Sequence, residues 1–138
     1  MTLNMAKNLA AIYAVGIVVP GLAYLIAPVS IFAILGQPNL SAAATTDVRA
    51  TYAGIQIALG VYLWTCLGTR QGLETIYSLL GYALLGMGST RLAGLFVDGG
   101  NQTINLFASA FEIGSACLSI YCLRIVRRAP SQNGNVQQ

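Results

Sequence analysis

The sequence predicts an all-α fold: an integral membrane four-helix bundle of antiparallel, up-down topology with both termini in the cytoplasm. Three observations lead there. Of 138 residues, 56% are hydrophobic and only 8% charged, whereas a soluble domain carries about a quarter charged residues to cover its surface. The apolar residues gather into long runs separated by short connections rich in Gly, Pro, Asn and Arg. The basic residues fall in alternate connections, the pattern that sets orientation in a bilayer.

Residues 1–8 read as a short polar leader containing Lys7. Leu9 to Ile26 then supplies 18 nearly uninterrupted apolar residues, about 27 Å of helix and close to one hydrocarbon thickness. The run is too long for a signal peptide, and no Ala-x-Ala site with a polar continuation follows it. Pro20, beside Gly21, is expected to kink this span, which membrane helices tolerate when a neighbour satisfies the freed carbonyl. Pro28 interrupts the run, and Val29–Leu35, too short to span, reads as an interfacial half-turn or re-entrant piece. Gly36-Gln37-Pro38-Asn39-Leu40-Ser41 is a loop by composition.

The second span, about residues 47–67, is expected to start at Thr46 or Asp47, either of which can cap it. Gly68-Thr69-Arg70-Gln71-Gly72 is a tight turn into a third span over 73–97, with glycines at 81, 86, 88 and 94. Such residues let helices approach closely in lipid. Asp98-Gly99-Gly100-Asn101 reads as a turn. The fourth span covers 103–126, and residues 127–138 read as a flexible cytoplasmic tail. Spans and connections together make residues 9–126 one transmembrane domain.

Lys7, Arg70 and the group Arg124, Arg127 and Arg128 belong to the N-terminus, the second connection and the C-terminus, while the first and third connections hold no basic residue. Both termini therefore read as cytoplasmic. The net charge of +3 is too scattered for a nucleic-acid patch. Histidine is absent, which excludes His-ligated haem, a His proton relay and the common transition-metal sites. Cys66, Cys117 and Cys122 all lie in apolar runs without a CxxC pair, so neither a disulfide framework nor a zinc site is expected. Lys7 lies outside the spans, which removes an intramembrane Schiff base. No cofactor and no metal are expected.

A polar constellation interrupts this apolar background. Residues seven apart share a helix face, which groups Arg49 with Gln56 and neighbouring Tyr52, Arg91 with Asp98, and Asn105 with Ser109 and Glu112. All three stripes fall in the outer half of the bilayer, with Glu112 roughly 13 Å deep along its helix. Arginine does not deprotonate, so pairing of Glu112 with Arg91 or Arg49 is expected. Two readings follow: a lock that registers three helices, or an outward-facing pocket whose guanidinium groups suit a carboxylate or phosphate headgroup. Tyr13, Tyr24, Tyr62, Trp64, Tyr77 and Tyr121 read as interfacial anchors.

Arg49-Ala50-Thr51-Tyr52-Ala53-Gly54, Arg91 before Asp98-Gly99, and Glu112 together resemble a bacterial family of small four-span membrane proteins labelled a domain of unknown function. Its members show an Arg-Ala-x-Tyr-Gly-Gly stretch in the second span; this chain has Ala53 at the first glycine. The resemblance covers most of residues 9–126 and implies the fold but no activity. The architecture is also similar to DoxX-like proteins, by analogy alone.

The expected role is that of a non-enzymatic protein of the bacterial inner membrane. It would bind a lipid or another amphipathic ligand through the eight polar residues, or act as an accessory subunit. The alternative is a small proton-coupled transporter using Glu112, against which its place in the last span and the two arginines count. Acid–base catalysis by Glu112 or Tyr52 lacks a visible nucleophile–base pair. Surplus small-residue surfaces, Ala50-Gly54-Ala58 and Gly86, lead to the expectation of a homo-oligomer.

Overall fold

The computed structural model describes residues 2–36, 39–98 and 103–129. All its regular elements are helical: α1 (Leu3–Ile26), α2 (Pro28–Ile34), α3 (Ala42–Val48), a π-helical turn (Arg49–Gly54), α4 (Ile55–Cys66), α5 (Arg70–Val97) and α6 (Thr103–Arg128). The chain divides into two compact units, one of residues 7–68 and the other of residues 1–6 with 69–138. Among the described residues three helices, α1, α5 and α6, are long and apolar enough to cross a membrane. Large apolar side chains are exposed along them, among them Ile12, Val19, Tyr82, Phe96, Phe107 and Phe111. An exterior of that kind suits lipid and not water.

Several expected boundaries move. The polar leader is already helix from Leu3, and Thr2 Oγ1 accepts from the amide of Met5. Helix α1 runs through Pro20 and stops where Pro28 pushes Ala27 out of helical geometry, to φ −132° and ψ 53°. Pro28 then opens α2 at the position where its missing N–H costs nothing, so the expected half-turn is a seven-residue helix. It ends at Gly36, whose φ of +86° is the left-handed value that glycine adopts without strain. The cap of α3 is Ser41, whose hydroxyl accepts from the amide of Ala44, and not Thr46 or Asp47. Thr46 instead bonds back to the carbonyl of Ala42.

Thr69 caps α5 by accepting from the amide of Gly72, so Arg70 and Gln71, expected in the turn, are already helical. Helix α6 continues through Arg128, beyond the expected stop at 126. Gln37-Pro38, the Gly99-Gly100-Asn101 part of the expected turn, and the tail from Pro130 onward lie outside the described residues.

In the unit of residues 7–68, α1 and α4 run antiparallel at close quarters. A Cβ on Gly60 would collide with Val18 Cγ2 and come within 2.8 Å of the Ala14 carbonyl oxygen. A Cβ on Gly21 would lie 3.0 Å from Gln56 Cβ and 3.2 Å from the Ile57 nitrogen. In the other unit, α5 and α6 pair antiparallel along Gly81 and Gly88. The buried face of α6 is Ser109, Glu112, Ser115, Ala116, Ser119, Cys122 and Val126, mostly small or polar and recurring every three or four residues. Ser119 satisfies its hydroxyl on the carbonyl of Ser115. Apolar side chains outward and small polar ones inward is the arrangement helices adopt in lipid, where close packing replaces the hydrophobic drive. Tyr77 departs from its expected interfacial place: it is fully buried, and its hydroxyl donates to the carbonyl of Ala6. Tyr62, Trp64 and Tyr121 are exposed.

Candidate functional site

The most developed polar site lies between α5 and α6 and depends on how closely they meet. A Cβ on Gly88 would stand 2.7 Å from Ile113 Cγ1 and 3.2 Å from Glu112 Cβ, so glycine alone lets the helices touch there. One turn further along α5, Arg91 reaches across that seam. Its Nε donates to Glu112 Oε2 at 3.1 Å, its Nη2 to Glu112 Oε1 at 2.9 Å, and its Nη1 to Asn105 Oδ1 at 3.1 Å. Both carboxylate oxygens are thus taken by one planar guanidinium, the fork-to-fork geometry that gives arginine its specificity for carboxylates. Asn105 and Glu112, two turns apart on α6, are what the seven-residue spacing predicts for one face.

Burial is unequal across the pair. The Glu112 side chain is 9% exposed and that of Arg91 36%. The Glu112 side chain is enclosed, while about a third of the Arg91 side chain stays accessible. Ser109, one turn from both Asn105 and Glu112, is buried, and its Oγ has no hydrogen-bond partner among the described residues. Asp98 stands just past the end of α5: it is exposed and closes the helix by donating its amide to the carbonyl of Gly94 at 2.8 Å.

The other unit holds Arg49, Tyr52 and Gln56 around the π turn. Arg49 Nε donates to the carbonyl of Leu25 at 3.1 Å. That carbonyl is among the last of α1, and the interruption before Pro28 leaves it without its usual helical donor. A cation there also meets the negative end of the helix dipole. Tyr52 packs with Tyr24 at 5.4 Å and edge-on against Phe32 at 5.8 Å between ring centroids, and Tyr24 and Phe32 lie 6.1 Å apart. This trio ties α1, α2 and the π turn together. Gln56 is half-buried, and its Oε1 has no hydrogen-bond partner among the described residues. The π turn coincides with the Arg49–Gly54 stretch. Such turns are uncommon and concentrate at functional sites, and nothing in the residue pattern announces this one.

A third polar cluster escapes sequence reasoning altogether. Arg70 donates from Nη2 to the carbonyl of Arg127 at 2.7 Å and from Nη1 to that of Ala129, closing the end of α6. Glu74 sits 3.3 Å from Arg70 Nε and 3.8 Å from Arg127 Nε, linking the two cations. The available signal was Glu74 four residues after Arg70, a spacing that pairs on a helix.

Of the eight sequence-predicted residues, Arg91, Asn105 and Glu112 are joined directly, with Ser109 on the same helix face. Of the two expected pairings for Glu112, the one with Arg91 forms. Arg49, Tyr52 and Gln56 belong to the other unit, and Asp98 closes α5. Among the described residues, no group of three or more His, Cys, Asp or Glu side chains is placed to hold a metal ion.

Residues 5–123 match the family described as Domain of unknown function (DUF4345). The chain belongs to this family. The matched stretch contains the π turn, the Arg91–Glu112 pair and Asn105, so every one of the eight candidate residues falls inside the DUF4345 region. No curated protein and no solved structure matches the chain. For this DUF4345 protein, function must therefore be argued from the site itself.

Proposed function

We propose that this DUF4345 protein is a four-span, non-enzymatic protein of the bacterial inner membrane. In this reading it holds a lipid or another anionic amphipathic ligand at Arg91, with Glu112 and Asn105 as the groups that aim the guanidinium. The span that completes the four, second in chain order, is the continuous winding of residues 42–66, about 37 Å long at 1.5 Å per residue. Residues on both sides of its π turn keep right-handed helical angles, for example φ −60° at Val48 and −64° at Ile55. With four spans, alternate connections carry the basic residues, and both termini face the cytoplasm.

One observation carries the ligand reading. Arg91 is held at three points by Glu112 and Asn105, yet 36% of its side chain stays accessible. A pair serving only to lock two helices gains nothing from keeping part of its arginine side chain accessible, whereas a headgroup site needs an arginine that a ligand can reach. Transport by proton exchange on Glu112 is less well supported, because each cycle would have to break a two-point contact with a permanent cation.

The test is gentle extraction of the full chain, followed by mass spectrometry of co-purified amphiphiles. Wild type is expected to retain an anionic amphiphile at this site, and Arg91→Gln to retain one equivalent fewer. A wild-type protein that retains nothing and is fully stable in pure detergent refutes the reading.

We also propose self-association. Ala50, Gly54, Ala58 and Gly86 are exposed, and a Cβ on Gly86 would meet nothing within 4 Å. A second copy can pack closely on such surfaces. Native mass spectra of the mildly extracted chain showing monomer alone would overturn it.

A further inference from the structure

The α5–α6 pair carries a second feature, nearer the Arg70 end of α5 and some 20 Å along it from Arg91. It is a groove of about 250 Å³. Buried Tyr77 and Gly81 contribute its inner part, and Leu85, Ile120 and Leu123 its apolar sides. At one end of this lining stand Arg124 and Arg127. Arg124 is exposed and has no hydrogen bond or ion pair among the described residues. The Arg127 side chain is 60% exposed, with its Nε at the long distance of 3.8 Å from Glu74. Ser78, on the lining beside them, is partly buried.

We propose that this groove binds an anionic phospholipid, its phosphate on Arg124 and Arg127 and one acyl chain laid along Gly81, Ile120 and Leu85. Three physical points favour this occupant. The groove is made by two helices long and apolar enough to cross a bilayer, so in a membrane it faces lipid, and an acyl chain fills it without cost. From Tyr77 to Leu85 it follows about 12 Å of helix, too long for an inorganic anion and suited to part of a chain. Its charge lies at one end only, which matches a molecule with an anionic head and an apolar body. In the proposed topology this end meets the cytoplasmic leaflet, where anionic lipids attract arginines near the surface. The hydroxyl of Ser78 is placed to donate to a glycerol or ester oxygen. The site stands independently of the Arg91 reading, because it shares no residue with it.

The experiment is native mass spectrometry of the full chain, delipidated in mild detergent and titrated with phosphatidylglycerol or phosphatidylcholine of equal chain length. Wild type is expected to bind phosphatidylglycerol about tenfold more tightly, a ratio that two arginines near an anionic headgroup can supply. Arg124→Gln with Arg127→Gln should remove one phosphatidylglycerol-selective equivalent, leaving any at Arg91 in place, while Arg128→Gln, outside the groove, should change little. Leu85→Trp keeps both charges but fills the apolar end, and should weaken both lipids together. It serves as the check if the double variant does not fold. Equal binding of the two lipids by wild type would overturn the proposal. So would an Arg128→Gln loss as large as that of the double variant, which would show a diffuse charge effect. Equally potent displacement by the water-soluble glycerophosphoglycerol headgroup would show that the groove contributes nothing.

Discussion

Whether Arg91 and Glu112 form a lock or a ligand site can be decided by removing them singly and together. Consider Glu112→Leu. The substitution deletes both oxygens that hold Arg91 and leaves a guanidinium beside an apolar wall. Breaking a fully buried pair costs about 3–5 kcal/mol, and an exposed pair contributes about 0.2–1 kcal/mol. Glu112 is 9% exposed and Arg91 36%, which places this pair between those limits, at about 2 kcal/mol. Arg91→Met should cost somewhat more, because the enclosed carboxylate is the worse charge to orphan. The double variant replaces both charges by apolar groups of similar reach and should come back within about 1 kcal/mol of wild type. Thermal unfolding of the four proteins in one detergent, followed by far-ultraviolet dichroism, measures this cycle. Each single substitution should lower the midpoint by several degrees, and the double should recover most of it. Strictly additive losses would refute the claim that the two side chains are energetically coupled. A recovered fold gives the comparison its power: a stable double variant that retains one equivalent of amphiphile fewer than wild type marks Arg91 as a ligand residue, and one that retains as many as wild type marks the pair as a lock.

Two further outcomes follow from the packing. Gly88→Val places a Cβ 2.7 Å from Ile113 Cγ1 and 3.2 Å from Glu112 Cβ, so it should cost about 1–3 kcal/mol by overpacking, read as a lower unfolding midpoint, whereas Gly86→Val, with nothing within 4 Å, should leave the midpoint of the isolated chain nearly unchanged. Arg70→Gln removes two donors from the carbonyls of Arg127 and Ala129 and should speed amide hydrogen exchange in the last turn of α6 while leaving the Arg91 end unaffected; equal exchange at both ends would show that Arg70 does not close the helix.

The helical class was legible because composition and run length act over whole segments. That Glu112 pairs with an arginine, Arg91 or Arg49, was legible because an intramembrane arginine must be paired, and the shared face of Asn105 and Glu112 because of their seven-residue spacing; the choice of Arg91 and its bond to Asn105 were not. What else was not legible depended on single backbone groups. Ser41 outcompeted Thr46 and Asp47 as a cap because a cap is chosen by where the chain leaves extended geometry, and no composition marks that point between Leu40 and Ala42. The π turn over Arg49–Gly54 has the residues of an ordinary helix. Tyr77 looks like an interfacial anchor by type and position, yet it is fully buried with its hydroxyl on the carbonyl of Ala6. The helix-closing contacts of Arg49 and Arg70 escaped for the same reason: there the acceptors are carbonyl groups, which every residue carries.

Those two arginines bear on where the chemistry resides. Arg49 and Arg70 each donate to carbonyls at the end of a helix, α1 and α6 respectively. There a cation satisfies orphaned acceptors and opposes the dipole at once. That account is complete without a ligand, so an arginine in a membrane chain is not by itself a sign of a site, costly though it is to place. Arg91 differs because it holds at two points a nearly enclosed carboxylate, itself costly to bury, whereas the Glu74 beside Arg70 is about a third exposed. Neither Arg91 nor Glu112 is needed to finish a helix, and a Met–Leu pair would fill the same seam. Arg124 differs in the opposite sense, being exposed on a groove without an acceptor among the described residues. The residues whose presence the backbone does not explain are therefore Arg91 with Glu112 at one end of the α5–α6 pair and Arg124 toward the other. Substitutions there should alter what the protein binds more than how it folds, once the charge balance at Arg91 and Glu112 is kept.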